Sequence, residues 1–148
     1  MGNQALYDRD FFAWVNEQAG LLRAGRLSEA DIEHIAEEIE SLGRGEKREL
    51  VSRLRVLLLH LLKWQSQPSR RGASWEGSII NTRDELDDHL CDNPSLKSQI
   101  ADALEAAYRR AAIDATTETG FKRGSFPQAC PWSYDEIMDP EFYPEATN

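Results

Sequence analysis

From Glu46 to Gln67, apolar residues recur three and four apart, at Leu50, Leu54, Leu57, Leu61 and Trp64. That spacing keeps side chains on one face of an α-helix. Val56, Leu58, Leu59 and Leu62 fill its other sides, so the pattern predicts a central helix buried nearly all round and closed by Pro68. Upstream, Ile32, Ile35, Ile39 and Leu42 repeat the spacing. They predict a helix opened by "SEAD" (Ser28 to Asp31), a capping box with Asp in place of Glu. Gly43 and Gly45 are expected to end or bend it. Before it, Phe11, Phe12, Trp14, Val15, Leu21 and Leu22 mark a first helix, with Asp8 as its cap and Gly25 as its stop.

Downstream, Ser74 is expected to cap a helix whose stripe is Trp75, Ile79, Leu86 and Leu90. Asn93 and Pro94 then open another, since proline at the first helical position lacks only an N–H that has no partner there. Its face carries Leu96, Ile100, Leu104, Ala107, Ala111 and Ala115 as far as Gly120, and the small residues predict close approach of a neighbouring helix. "GFKRGSFPQACPW" reads as a loop rich in glycine, proline and large apolar residues, which should lie against the helices. "SYDE" (Ser133 to Glu136) is a second capping box and predicts a short helix to Met138. No segment has strand periodicity. The expected architecture is all-α, a single-domain bundle over residues 1–148 with its core over about 7–144. It has about five main helices and a Pro/Gly/aromatic-rich C-terminal tail packed on it.

Composition narrows the function classes. The chain has 148 residues, 41% of them apolar, and four tryptophans, which fits a globular domain rather than a disordered one. A net charge of −9 repels phosphate backbones and disfavours nucleic acid as a partner. The one basic concentration (Arg44, Lys47, Arg48, Arg53, Arg55) is interrupted by Glu46 and Glu49 and reads as a solvated helix face. Cys91 and Cys130 stand far apart, as suits a reducing cytoplasm. "MGNQALYDRDFF" has no basic region followed by a long apolar stretch, and the apolar runs near Leu57 are too short to span a bilayer. A soluble, cytoplasmic protein without membrane contact is expected.

Candidate chemistry lies where ionisable groups meet the apolar stripes. At about 100° per residue, Glu118 falls within about 20° of Ala107 and Ala111. Arg83 lies beside the Ile79–Leu86 stripe, and His60 about 80° from the centre of the leucine stripe. Glu38 flanks the stripe between Ile35 and Leu42. An unpaired charge in such places is costly, so Arg83 is expected to grip Glu118 bidentately and His60 to donate to Glu38 or Glu118. Two readings follow. His60, Glu118, Arg83 and Glu38 could form an acid/base or metal-dependent catalytic centre, or they could be a polar network that fixes helix packing. The structural reading is favoured, because such networks imitate functional sites. The metal, if any, is left open, and no cofactor is expected.

Weaker signals read as structure. "DIEH" (Asp31 to His34) has the Glu-x-x-His type of spacing used in di-iron bundles, with Asp substituting. "ELDDH" (Glu85 to His89) is no second copy, because Leu86 occupies the needed position. His34 and His89 fall on polar faces and should be solvated. Cys130 reads as a small buried hydrophobe, Trp14, Trp64 and Trp75 as core anchors, and Lys63 as a cation suited to its helix C-terminus.

The blocks "YDRDFFAWVNEQAGLLRAG", "EEIESLGRGEKREL", "LLLHLLKWQSQP", "SWEGSIINTR", "NPSL", "AAYRRAA", "ETGF" and "FPQACPW" occur in the order found in the bacterial domain-of-unknown-function-29 family, which the chain resembles from about Tyr7 to Pro144. The resemblance implies an all-helical bacterial protein and carries no activity with it. The expectation is therefore a non-catalytic module that binds an unknown protein partner or forms a homo-oligomer. The alternative is an enzyme centred on the His60 cluster.

Overall fold

In the computed structural model of the chain, residues 2–147 are described, with side chains from residue 6 onward. They form α1 (Gly2–Arg9), α2 (Phe11–Arg23), α3 (Ile32–Ser66), α4 (Ala73–Asp92), α5 (Ile100–Thr119) and α6 (Tyr134–Met138). Turns of 3₁₀ helix lie at Leu27–Glu29, Pro68–Arg70, Pro94–Gln99 and Arg123–Ser125, and the described residues contain no strand. The all-α expectation holds. Two compact units divide the chain, residues 1–45 and 46–148. Among the described residues no helix is long and apolar enough to cross a membrane.

Several boundaries differ from expectation for identifiable reasons. Asp8 lies inside α1, so Asp10 caps α2, its Oδ1 accepting from the Ala13 N–H at 3.1 Å. Gly25 does stop that helix: at φ +72° it lets its own N–H reach the Leu22 carbonyl and the Arg26 N–H reach that of Leu21, a Schellman closure. Ser28 sits in a 3₁₀ turn, and Asp31 instead precedes α3, accepting from the His34 N–H at 3.4 Å. Gly43 and Gly45 do not end the helix. α3 runs unbroken for 35 residues, because a glycine costs only about 1 kcal/mol inside a helix and good helix formers flank both. Pro94 opens a six-residue 3₁₀ turn ahead of α5, and Gly120 ends α5 at φ +76°.

The C-terminal unit is organised around the leucines of α3. Leu50, Leu54, Leu57, Leu58, Leu61 and Leu62 are buried with Ile79, Leu86 and Leu90 of α4. On α5, Ala103, Ala107, Ala111, Ala112 and Ala115 have no exposed surface, so the small side chains are used for close packing, as their spacing predicts. The tail completes this core with Phe126, Trp132 and Ile137. Its α6 opens on a reciprocal capping box, Ser133 Oγ accepting from the Glu136 N–H at 3.1 Å and Glu136 Oε1 from the Ser133 N–H at 3.0 Å. One correction concerns α3 itself: it is not buried all round. Val56 is 42% exposed and His60 is half-buried.

The N-terminal unit has no comparable core. Among its described residues only Trp14 and Gln18 are buried. Phe12, Ile39 and Leu42 are 77%, 62% and 72% exposed, although their spacing marks them as core.

Candidate functional site

The four ionisable residues singled out by helical geometry have separate partners. Arg83 is buried, and its guanidinium donates to three main-chain carbonyls of the tail: Ile137 at 2.7 Å, Phe142 at 2.7 Å and Pro140 at 3.4 Å. Burial pushes its pKa down, and the carbonyl oxygens compensate as dipoles in place of the carboxylate expected there. Glu118 is exposed and pairs with Lys63, Nζ to Oε1 at 3.0 Å. The Lys63 ammonium also lies 4.8 Å from the Trp75 ring centroid. His60 places Nδ1 2.9 Å from the Val56 carbonyl one turn back on its own helix. Glu38 accepts from the Tyr7 hydroxyl in the N-terminal unit. These partners take the place of the expected Arg83–Glu118 pair and of a His60 bond to Glu38 or Glu118, and each group is satisfied by them.

In the N-terminal unit a polar and aromatic cluster replaces an apolar core. Trp14 Nε1 donates to Asp31 Oδ2 at 3.2 Å, and the Asp31 N–H donates to Gln18 Oε1 at 2.7 Å. His34 Nδ1 lies 2.7 Å from Asp31 Oδ2. The imidazole stacks on Tyr7 with centroids 3.9 Å apart, and Tyr7 meets Trp14 edge-on at 4.7 Å. His34 is thus half-buried and partnered rather than solvated. The hydrogen bond to Asp31 raises its pKa. Burial opposes ionisation of Asp31, yet its bonds to His34 and Trp14 hold its carboxyl below the usual range. The bond to Glu38 pushes the Tyr7 phenol up to about 12.

Beside that cluster runs an open groove of about 440 Å³, walled by Phe11, Val15 and Leu22 of α2 and by Ile35, Ile39 and Leu42 of α3. Gln18 also lines it. The Gln18 Nε2 is buried and has no hydrogen-bond partner among the described residues.

A second constellation, which the sequence reading passed over, is in the C-terminal unit. His89 is only 7% exposed, correcting its assignment to a solvated face. Its Nε2 lies 2.9 Å from the Glu46 main-chain carbonyl, an acceptor only, so Nε2 carries the proton of that bond. Nδ1 faces Glu49 Oε2 at 3.6 Å and Glu46 Oε2 at 3.7 Å. The Arg53 guanidinium orients Glu49 by two bonds to Oε1, at 2.6 and 3.2 Å, and holds that carboxyl below its usual range. Arg53 also pairs with Glu85, and Asn93 Nδ2 donates to Glu46 Oε2 at 3.4 Å. The available signal was register: His89 follows Leu86 by three and adjoins Leu90, at the edge of the buried stripe.

Elsewhere the basic run is largely compensated, by Arg44–Glu40, Arg53–Glu49 and Arg55–Asp114 pairs. Cys130 is half-buried, its thiol donates to the Trp132 carbonyl at 3.3 Å, and burial pushes its pKa up. A raised thiol pKa makes for a poor nucleophile.

No curated protein and no solved structure matches the chain. One family does, over residues 6–143, and its description is Domain of unknown function DUF29. That match covers nearly the whole length, so the chain belongs to the DUF29 family.

Proposed function

We propose that this protein is a non-catalytic, self-associating module, in which the α2 and α3 segments of one N-terminal unit pack against those of a second copy. The observation that carries this reading is the combination of the groove with eight exposed large hydrophobics between Phe11 and Leu42 and, among the described residues of that unit, a single buried hydrophobic, Trp14. A unit of this size without a core is normally completed by something else, commonly by oligomerisation.

Three features favour a second copy as the occupant. Residues 11, 15, 18 and 22 of α2 and 32, 35, 39 and 42 of α3 alternate steps of three and four, the seam spacing of helices that pack in bundles. An isologous pairing of two such helical hairpins gives a four-helix bundle. Gln18, buried beside the groove, has an Nε2 donor without a partner among the described residues, a polar position within the apolar seam of the kind that commonly fixes register. Charge argues against the other surfaces: residues 1–45 hold nine acidic and four basic side chains, which repels nucleic acid and anionic membranes alike. The catalytic reading of His60, Glu118, Arg83 and Glu38 gains no support from the contacts they make.

Sedimentation equilibrium over a broad range of protein concentration tests this. A concentration-dependent dimer is expected, strengthened by salt as like charges are screened. Ile39→Glu, at an exposed position, should abolish the dimer and leave helicity intact. A protein that stays monomeric throughout, or a variant that dimerises like the wild type, overturns the proposal.

A further inference from the structure

We infer that Glu46, Glu49 and His89 form a binding site for a divalent transition cation of the zinc type. The inference stands on the C-terminal unit and is independent of self-association.

The histidine carries the argument. Its Nε2 proton is committed to the Glu46 carbonyl, so in the neutral imidazole Nδ1 presents a lone pair. That side chain is more than nine-tenths buried. Nδ1 has no hydrogen-bond donor among the described residues and points at two carboxylate oxygens, 3.6 and 3.7 Å away. In that tautomer three electron-rich atoms face one another, Glu46 Oε2 also accepting from Asn93 at 3.4 Å, and a cation between them would be stabilised by all three. A backbone carbonyl on the far ring nitrogen is also the arrangement that fixes the tautomer and orientation of a metal-ligating histidine.

The distances suit a cation. Zinc binds nitrogen and carboxylate oxygen at about 2.0–2.2 Å, which separates neighbouring tetrahedral ligands by about 3.4 Å. The three ligand atoms lie within 4.8 Å of one another, and Glu46 and Glu49 are nearly half exposed at 46% and 41%. Small side-chain rotations therefore close the set. The outer partners hold it in place: Arg53 grips only Oε1 of Glu49, leaving Oε2 for the ion, and is itself paired with Glu85. One imidazole with two carboxylates favours zinc, iron or manganese over the all-oxygen cages of magnesium and calcium. Exposure of the carboxylates leaves further coordination positions to water.

The test is titration calorimetry of the full chain, purified without a histidine tag and stripped with chelator, using zinc chloride alone. One zinc per chain is expected, accompanied by a rise in melting temperature. Glu46→Gln and Glu49→Gln should each weaken binding by about tenfold or more while circular dichroism stays unchanged. His89→Gln should abolish binding. Because His89 is buried and that variant can fail to fold, the two glutamate variants decide the matter. Absence of saturable zinc binding, or binding unchanged in both glutamate variants, overturns the site.

Discussion

The two ends of α3 carry the same apolar spacing and meet opposite fates. Ile32, Ile39 and Leu42 are 54%, 62% and 72% exposed, whereas Leu50, Leu54, Leu57 and Leu61 have no exposed surface. The three-and-four spacing of the stripe does not distinguish them, and the helical backbone runs on unbroken through Gly43 and Gly45. What differs is the chain available to each. The C-terminal unit has two helices of 20 residues and an aromatic tail to cover its leucines, and the alanines of α5 allow close approach. The N-terminal unit has α1 and α2 and settles for hydrogen bonds and stacked rings around Asp31. Periodicity therefore marks the face that seeks cover, while supply of neighbouring chain decides whether cover is found within the molecule.

The largest test of this contrast sets one leucine against another. Leu57→Ala removes a fully buried side chain and should cost about 2–5 kcal/mol in urea unfolding. Leu42→Ala, measured on dilute protein where self-association is absent, should change stability by no more than about 0.5 kcal/mol. Equal costs at the two positions break the comparison.

A second pair separates a buried cation from an exposed anion within the C-terminal unit. Arg83→Met strips partners from three tail carbonyls and should destabilise by about 2–4 kcal/mol. Glu118→Gln touches an ion pair whose acid is open to solvent, so its cost should stay within about 1 kcal/mol. With no shared contact, the double variant should show the sum of the two. A coupling well outside additivity restores the Arg83–Glu118 link that sequence geometry suggested.

The fold was legible because it rests on local chemistry. Capping at Ser133, termination at Gly25 and Gly120, and the alanine stripe all act within a few residues of sequence. The site was less legible, because helical angles place a side chain on a face and say nothing of what opposes it. Arg83 sits on the predicted face, yet its partners lie 54 to 59 residues away, at the end of the short α6 and in the irregular segment after it. His60 was drawn inward by its leucine neighbours, although Val56, one turn away on the same side, is itself exposed. His89 was drawn outward by Asp87 and Asp88, and its burial shows that a stripe can be wider than its aliphatic members. Tyr7 and Asp31 carry the N-terminal cluster through bonds that only the folded chain brings together.

The smallest expected effect concerns that cluster. His34 has a folded pKa raised by Asp31, so its stabilisation is complete below the ordinary histidine value of about 6.5 and lost as pH rises through the raised folded value. Asp31, held below its ordinary value, contributes above about 3.9 and loses that contribution as pH falls through its lowered folded value. The pair is therefore at full strength between the two ordinary values, and Tyr7, pushed up to about 12, stays protonated across the window. Amide-exchange protection in α2, normalised for intrinsic rates, should decline as pH rises from about 6 to about 9. Protection in α5, which lies in the other unit, should hold level, and His34→Gln should flatten the decline in α2. If α2 and α5 instead lose protection together, or if His34→Gln leaves the α2 profile unaltered, the cluster does not take the place of a core, and the contrast between the two ends of α3 requires another cause.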